Sequence, residues 1–255
     1  MKQILCSKKY SGILWAVIIA AVFTGIQLWV MSFLSGTPWY LFSSFSRFVF
    51  GFLILFVVLK LYGRTPGEVL SARGSKAAFI AGSGFLLYFL YYLLTWLFGI
   101  ESITGLTAGL LFSRIIMQQL ATGFYEELNY RVLILEGYFY GAQTVKHKMI
   151  YAFTSFFLFG AVHVVTGLNM YRFLQTGTIG FAFAVIYLKS GNVLIPMILH
   201  FLYDIFANLT DYATWNNSPL FINLNSIFDI MLLLLFVTAL TLLLRKGKDK
   251  TLCRG

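Results

Sequence analysis

The sequence predicts an all-α membrane protein: a polytopic helix bundle with about eight transmembrane helices and both termini in the cytosol. Of the 255 residues, 59% are hydrophobic and 11% are charged, whereas a soluble domain carries about 25% charged residues. Apolar runs recur that are long enough to cross a bilayer, which takes about 20 residues each. The formal net charge is +10, and its positions alternate along the chain. We therefore predict a single integral membrane domain over residues 1–255.

Apolar runs separated by polar, glycine or proline residues define the predicted spans. In chain order they cover residues 12–34, 40–62, 77–99, 108–138, 149–166, 172–190, 192–211 and 224–244. The first run is too long for the apolar region of a signal peptide, so we interpret it as an uncleaved span. The fourth is longer than one crossing requires, and we expect it to begin as a tilted or interfacial segment.

The distribution of lysine and arginine predicts the orientation of the bundle. The loops at residues 35–39, 101–107 and 211–223 contain neither residue type. The tails and the alternate loops are basic, through Lys2, Lys8, Lys9, Arg64, Arg73, Lys76, Lys146, Lys148, Lys189, Arg245, Lys246, Lys248 and Lys250. Because cytosolic loops carry the excess of positive charge, an even number of helices with both termini in the cytosol fits this alternation.

The same observations exclude several classes of protein. Nucleic-acid binding is not expected, because the basic residues lie between apolar runs and do not line one face. Cys6 and Cys253 lie in the terminal tails, so no disulfide framework is predicted. The expected partners are membrane lipids and a substrate, and the sequence contains no signal for an oligomeric state.

Ionisable residues inside the predicted spans are the strongest functional signal. One such residue at the centre of a membrane helix costs about 2.5–3.5 kcal/mol, so six facing lipid separately would cost on the order of 15–20 kcal/mol. These residues must therefore contact one another or water. They are Glu126, Glu127, Arg131, His163, His200 and Asp204.

The spacing of these residues predicts that they meet. Residues four apart lie on one face of a helix, and three pairs have this spacing: Glu127 with Arg131, Phe159 with His163, and His200 with Asp204. With a rise of 1.5 Å per residue, Glu126, His163, His200 and Asp204 lie about 12–21 Å from the cytosolic ends of their spans. The helices run in alternating directions, yet their polar residues reach a similar level, which favours one shared site.

These residues also form a signature. In chain order it reads Glu126-Glu127-x-x-x-Arg131, Phe159-x-x-x-His163 and His200-x-x-x-Asp204. The three motifs resemble those of the CPBP intramembrane proteases, also called the CAAX-protease or Abi family, whose eukaryotic members are the Ras-converting endopeptidases. Each motif alone is weak, but all three in order on the fourth, fifth and seventh spans are a specific signal. The resemblance covers a core of about residues 105–209.

The resemblance implies an intramembrane endopeptidase that hydrolyses a peptide bond in a membrane-associated protein or peptide, near the cytosolic end of its substrate. By position, Glu126 would activate the attacking water. His163 and His200 would orient that water and stabilise the oxyanion, or would bind a metal. Asp204 occupies a position where the family has Asn or Asp, and Asp is common among its bacterial members.

The resemblance also implies supporting residues and a biological setting. Glu127 and Arg131 would fix the helix that carries Glu126 through an ion pair, with Phe159 as a further supporting residue. The bacterial members include bacteriocin-immunity and peptide-processing proteins. We accordingly expect a multi-pass protein of the bacterial cytoplasmic membrane, with a possible role in bacteriocin immunity or peptide maturation.

The participation of a metal stays open from the sequence. The formal charges of the two glutamates, Asp204 and Arg131 sum to −2, and either one divalent cation or two protonated histidines would neutralise them. Two histidines with one or two carboxylates form a plausible zinc set; it would consist of Glu126, His163, His200 and Asp204. The zincin motif H-E-x-x-H is absent from the sequence. A glutamate mechanism without metal also fits, and we favour it.

Two other functional classes compete with the protease. Buried acids and histidines also form the relays of proton-coupled transporters, but the sequence shows neither an inverted repeat nor a pair of broken helices. A non-catalytic scaffold that regulates a partner is the other alternative. Outside the motifs, we expect Arg114, Gln118 and Gln119 on the outer part of the fourth helix, pairing with Asp229 and without a catalytic role.

Overall fold

A computed structural model describes residues 11–138 and 144–245. The predictions that concern Cys6, Cys253 and the lysines of the two tails lie outside these residues. The fold is 83% helical, which confirms the prediction of a nearly all-α protein. The prediction of one integral membrane domain over residues 1–255 stays a prediction.

Helices occupy part of each of the eight predicted spans. In chain order they are α1 (Ser11–Met31), α2 (Gly36–Tyr62), α3 (Pro66–Val69), α4 (Ser75–Ala81), α5 (Ser83–Gly99), α6 (Ala108–Leu110), α7 (Gln118–Glu127), α8 (Ile134–Tyr138), α9 (Val145–Val162), α10 (Met170–Ser190), α11 (Leu194–Leu209), α12 (Pro219–Ser226) and α13 (Phe228–Leu244). Glycine ends two of the long helices, since Gly63 after α2 and Gly191 after α10 both have φ of 70°, a left-handed conformation that favours glycine.

Among the described residues, fewer helices qualify as membrane crossings than the eight predicted spans. In the described part of the chain, three helical segments are long and apolar enough to cross a membrane: Ser11–Met31, Gly36–Tyr62 and Pro219–Leu244. A fourth is added if α4 and α5 form one span, although they meet at a bend of 61°. The prediction of about eight crossings therefore stays a prediction.

The fourth predicted span is one continuous helical stretch with two wide turns in it. π-helical turns over Leu111–Met117 and Leu128–Leu133 lie before and after α7. Such turns are rare, and they occur frequently at functional sites. Here they flank the helix that carries Glu126 and Glu127.

The bend between α4 and α5 brings a glycine against the last helix. A Cβ atom added at Gly84 would lie 2.6 Å from Oγ1 of Thr238 on α13. A larger side chain at this position would therefore push α5 away from α13. The absence of a Cβ atom on Gly84 thus permits the close approach of these two helices.

Loops cluster at two ends of the bundle. At one end, which we call the basic end, Arg64 pairs with Glu136, and the Asn192 side chain donates to the Arg73 carbonyl over 3.1 Å. At the other end, which we call the hairpin end, strand β1 (Ile100–Ile103) pairs antiparallel with β2 (Ala213–Trp215).

The two ends agree with the predicted alternation of the loops. The strands β1 and β2 come from two of the loops that lack lysine and arginine, whereas the basic end gathers the lysine- and arginine-containing loops. The predicted pairing of Arg114 with Asp229 is wrong. Arg114 instead pairs with Asp211, which the hairpin brings close, and Asp229 accepts a hydrogen bond from the Tyr171 hydroxyl over 3.0 Å.

Candidate active site

Three helices carry the candidate site residues. Glu126 and Glu127 are the last residues of α7, directly before the second π-helical turn. His200 and Asp204 lie on α11. His163 is the residue that follows α9, so its predicted position well inside a span is wrong: the helix ends at Val162, four residues before the predicted boundary.

A fully buried ion pair lies on one side of the site. Arg131 donates from Nη2 to Glu127 Oε1 over 2.9 Å, and both side chains are 0% exposed. Arg131 also donates from Nη1 to the Ser155 hydroxyl over 3.1 Å, and its guanidinium lies 4.5 Å from the centre of the Phe159 ring. The spacing of four residues therefore produces the ion pair expected from it, and Phe159 packs directly on the arginine.

The imidazole of His200 connects this pair to the other two carboxylates. Its Nδ1 lies 2.9 Å from Glu127 Oε1, and a carboxylate only accepts, so Nδ1 carries the hydrogen. Its Nε2 lies 3.3 Å from Asp204 Oδ2 and 3.8 Å from Glu126 Oε2. An unprotonated Nε2 would face two acceptors. A hydrogen on Nε2 would be donated to the nearer of the two, Asp204.

Glu126 and Asp204 reach the surface of a cavity, while Glu127 does not. Their side chains are 12% and 18% exposed, and both line a cavity of about 640 Å³. The Oε2 atom of Glu126 is buried and has no hydrogen-bond partner among the described residues. Glu127 Oε2 is likewise buried without a partner among the described residues, so the two acids differ in exposure: only Glu126 reaches the cavity.

His163 lines the same cavity but is held differently. Its Nδ1 lies 2.7 Å from the Phe159 carbonyl oxygen, which only accepts, so Nδ1 donates. In the neutral ring, Nε2 is therefore the acceptor and is left for contacts in the cavity. No hydrogen bond joins His163 to Glu126, His200 or Asp204 in the described part of the chain. The structure thus brings these three together around His200 Nε2, with His163 on the cavity wall.

Sequence reasoning missed two cations that line the cavity, Arg47 and Arg172. Arg47 of α2 lines the cavity with Glu126 and Asp204. Its Nη1 donates to the Ser43 carbonyl over 3.2 Å and also to the Ser43 hydroxyl, and its Nε is buried without a hydrogen-bond partner among the described residues. The signal was available, since Arg47 lies inside the predicted span 40–62 and is as costly there as the other ionisable residues.

A buried polar network holds this part of α2. The Gln27 amide donates to the Ser46 hydroxyl over 2.6 Å and accepts from the Ser43 hydroxyl over 2.9 Å. Gln118 of α7 donates to the same Ser43 hydroxyl over 3.2 Å. Each of these contacts satisfies a polar group that would be costly to bury alone. The network therefore joins α1, α2 and α7 beside Arg47.

The described residues do not form a ready metal site. Across residues 11–138 and 144–245, no group of three or more His, Cys, Asp or Glu side chains is placed to hold a metal ion. The Nδ1 contacts of His200 and His163 do not argue against a metal, because zinc-ligating histidines commonly donate their other ring nitrogen to a carboxylate or a carbonyl. Among the described residues, however, the predicted set of Glu126, His163, His200 and Asp204 is not assembled as a metal site.

Comparison with known proteins agrees with the family resemblance of the three motifs. Residues 107–206 match the family model for the type II CAAX prenyl endopeptidases, Rce1-like. Over this segment, the chain is similar to that family. The match confirms the resemblance predicted from the three motifs, and it includes every candidate residue from Glu126 to Asp204. No curated protein and no solved structure matched the chain.

The match also bears on activity and location. The Rce1-like family is a protease family, which supports an intramembrane endopeptidase in general. Together with several apolar helices, it supports an integral membrane protein. The matched segment excludes α1 to α5, and therefore Arg47.

Proposed function

We propose that this chain is an intramembrane endopeptidase of the glutamate type, in which Glu126 activates the attacking water. The observation that carries the proposal is the difference between the two adjacent glutamates. Glu127 is fully buried and its Oε1 is bound to Arg131 and His200, whereas Glu126 has no arginine partner in the described part of the chain and reaches the cavity. A general base must be able to touch the water that it deprotonates, and Glu126 meets this requirement.

The proposed reaction needs no covalent intermediate. Glu126 takes a proton from water, and the water oxygen attacks the peptide carbonyl carbon, whose π electrons move to the carbonyl oxygen. The tetrahedral intermediate then collapses: the C–N bond breaks, and the nitrogen leaves with the proton that Glu126 had accepted. Proton transfer of this kind contributes about 10²–10⁴-fold in rate.

The other residues act on charge and geometry. His163, with Nδ1 held by the Phe159 carbonyl, would donate from a protonated Nε2 to the oxyanion. Arg47 places a second cation on the same cavity wall, and donors aimed at a developing oxyanion are a large source of rate enhancement. His200 Nε2 faces both Asp204 and Glu126, so these two residues would influence the charge of the base before water enters.

We propose that the reaction proceeds without a metal. The support is that no group of three or more candidate ligands among the described residues is placed to hold a metal ion, and that Arg47 and the two imidazoles can supply the positive charge that a metal would otherwise provide. The metal content of the purified full-length chain, measured by mass spectrometry, tests this. One equivalent of zinc that is lost in a His163→Ala variant together with the activity would contradict the proposal.

The substrate is proposed to be a peptide or a membrane-tethered protein in a bacterial cytoplasmic membrane, with bacteriocin immunity or peptide maturation as the pathway. Because the family description names prenyl endopeptidases, the first probe is a farnesylated peptide that ends in a CAAX sequence and carries a fluorophore and a quencher. The same peptide without the prenyl group is the second probe. Release of fluorescence measures cleavage by the purified full-length chain.

The decisive comparison uses two matched variants. Glu126→Gln removes the base and keeps the shape of the side chain, and Glu101→Gln makes the same change on the exposed strand β1, away from the cavity. We expect Glu126→Gln to lose about 10²-fold or more of the rate and Glu101→Gln to match the unchanged chain. Equal cleavage by the two variants would refute the proposal and favour the non-catalytic scaffold.

A further inference from the structure

The cavity that contains Glu126 extends toward one end of the bundle. On the helical stretch 108–138 its lining residues lie between Arg114 and Glu126. On α10 they lie between Arg172 and Ile179, and after Tyr203 they continue along α11 to Asp211. On α10 and α11 these ranges occupy the half of the helix nearer the hairpin end, and on the stretch 108–138 the range starts near that end and stops at Glu126. The described lining thus runs from the candidate site to the hairpin end.

Distances along the helices agree with this direction. At 1.5 Å per residue, Asp204 lies about 8 Å from the hairpin-end terminus of α11 and about 15 Å from its other terminus. His163 directly follows α9 at the same end. Arg172 and Asp211 are exposed, so the cavity reaches the surface between them.

Packed side chains close the other direction. Directly beyond Glu126, the side chains of Glu127 and Arg131 are fully buried. Leu128 and Leu133 have no exposed surface, and the Tyr151 hydroxyl donates to the Arg131 carbonyl over 3.2 Å. A peptide therefore has no described path from the basic end to Glu126.

The charges of the described residues differ between the two ends. The basic end carries Lys60, Arg64, Arg73, Lys76, Lys146, Lys148, Lys189 and Arg245. Toward the hairpin end, the cations are Arg47, Arg114 and Arg172, and all three line the cavity. Excess lysine and arginine marks the cytosolic face of a membrane protein. The loops of the hairpin end thus belong to the opposite face.

From these observations we infer that the substrate reaches Glu126 from the non-cytosolic face of the membrane. The substrate class is a peptide, or the segment next to a membrane anchor, that is exposed on that face. This inference rests on the proposed function, because it places the scissile bond in the cavity of Glu126. It replaces the expectation that cleavage occurs near the cytosolic end of the substrate.

The charges of the cavity suit such a segment. Arg114 pairs with Asp211. The other charged residues of the cavity wall are two arginines, Arg47 and Arg172, and two acids, Glu126 and Asp204. A peptide backbone carries no net charge and can pass between groups of both signs. The cavity therefore has no excess of one charge that would repel a neutral extended segment.

Thiol labelling tests the inference without any substrate. In a background with Cys6→Ser and Cys253→Ser, two matched variants are made: Ala207→Cys on the cavity wall and Ala72→Cys in an exposed loop of the basic end. The full-length variants are placed in right-side-out and in inverted membrane vesicles. A small charged methanethiosulfonate that does not cross membranes is added, and mass spectrometry measures the modified fraction.

We expect Ala207→Cys to react in right-side-out vesicles and Ala72→Cys to react only in inverted ones. Reaction of both variants from the same face would overturn the inference. Labelling in detergent serves as the check on the variants, and an Ala207→Cys thiol that stays unreactive there would also overturn it, because the cavity would be closed. Labelling does not depend on turnover, so its result is independent of the Glu126→Gln comparison.

Discussion

Replacing Arg131 with methionine tests whether the site is built on the buried ion pair. The change keeps an apolar stem of similar length but leaves the Glu127 carboxylate, which is 0% exposed, without its cation. Only the His200 Nδ1 hydrogen bond of 2.9 Å would then remain to it. Loss of one partner from a buried pair costs about 3–5 kcal/mol. We therefore expect Arg131→Met to lower the free energy of unfolding by about that amount.

The design separates the pair from the loss of packing. Arg131 also contacts Phe159 and Ser155, so the single variant contains more than the ionic term. A cycle with Glu127→Gln and the double variant isolates the interaction of the two side chains, for which we expect a coupling of about 2–3 kcal/mol. Arg114→Met is the matched control, because its partner Asp211 is 57% exposed and such pairs contribute about 1 kcal/mol or less.

The assay is unfolding of the full-length chain in mixed micelles of a mild detergent with increasing dodecyl sulfate, followed by tryptophan fluorescence. A difference of about 4 kcal/mol changes the unfolding constant roughly a thousandfold, well within the range of such a titration. A coupling below about 0.5 kcal/mol would refute the reasoning. The site would then be held by helix packing, and the Glu-x-x-x-Arg spacing would have no structural role.

Three further predictions concern the cavity, the packing and the metal. Arg47→Gln should lower kcat for probe cleavage about 10-fold or more, and Arg47→Lys should retain part of the rate. Measurement of kcat and KM tests this, and a change in KM alone would contradict a role at the oxyanion. Gly137→Ala should lower the free energy of unfolding by about 1–3 kcal/mol, because a Cβ atom there would collide with the Gly12 backbone on α1; an unchanged dodecyl sulfate midpoint would show that α1 can move aside. Dialysis against a chelator should leave the cleavage rate unchanged, and a loss that added zinc restores would contradict the metal-free reaction.

Local spacing predicted the contacts that form within one helix. Glu127 with Arg131, and His200 with Asp204, are both four residues apart, and both pairs lie within 3.3 Å in the structure. The helix geometry alone produces such contacts, so no tertiary information was needed. The nearly all-α fold class followed from the lengths of the apolar runs, which are also a local property of the sequence.

Contacts between distant elements were harder to predict. Arg114 pairs with Asp211 because β1 and β2 bring two loops together, and no local pattern indicates that pairing. The end of α9 at Val162 was also missed, although Thr166 and Gly167 follow soon after in the sequence. Arg47 is different, because an arginine inside an apolar span can be recognised from the sequence alone.

The two π-helical turns have a consequence for the angular setting of Glu126. Each turn accommodates one residue more than an α-helix would, and successive residues of a helix differ by about 100° in direction. Because the wide turn absorbs its extra residue within one rotation, deletion of one residue from Leu128–Leu133 would restore ordinary α-helix with the residues on both sides in nearly the same direction. The same deletion within α7 would instead rotate everything on one side of it by about 100°. Alignments that place a one-residue gap in the wide turn would therefore join chains whose carboxylates point in nearly the same direction.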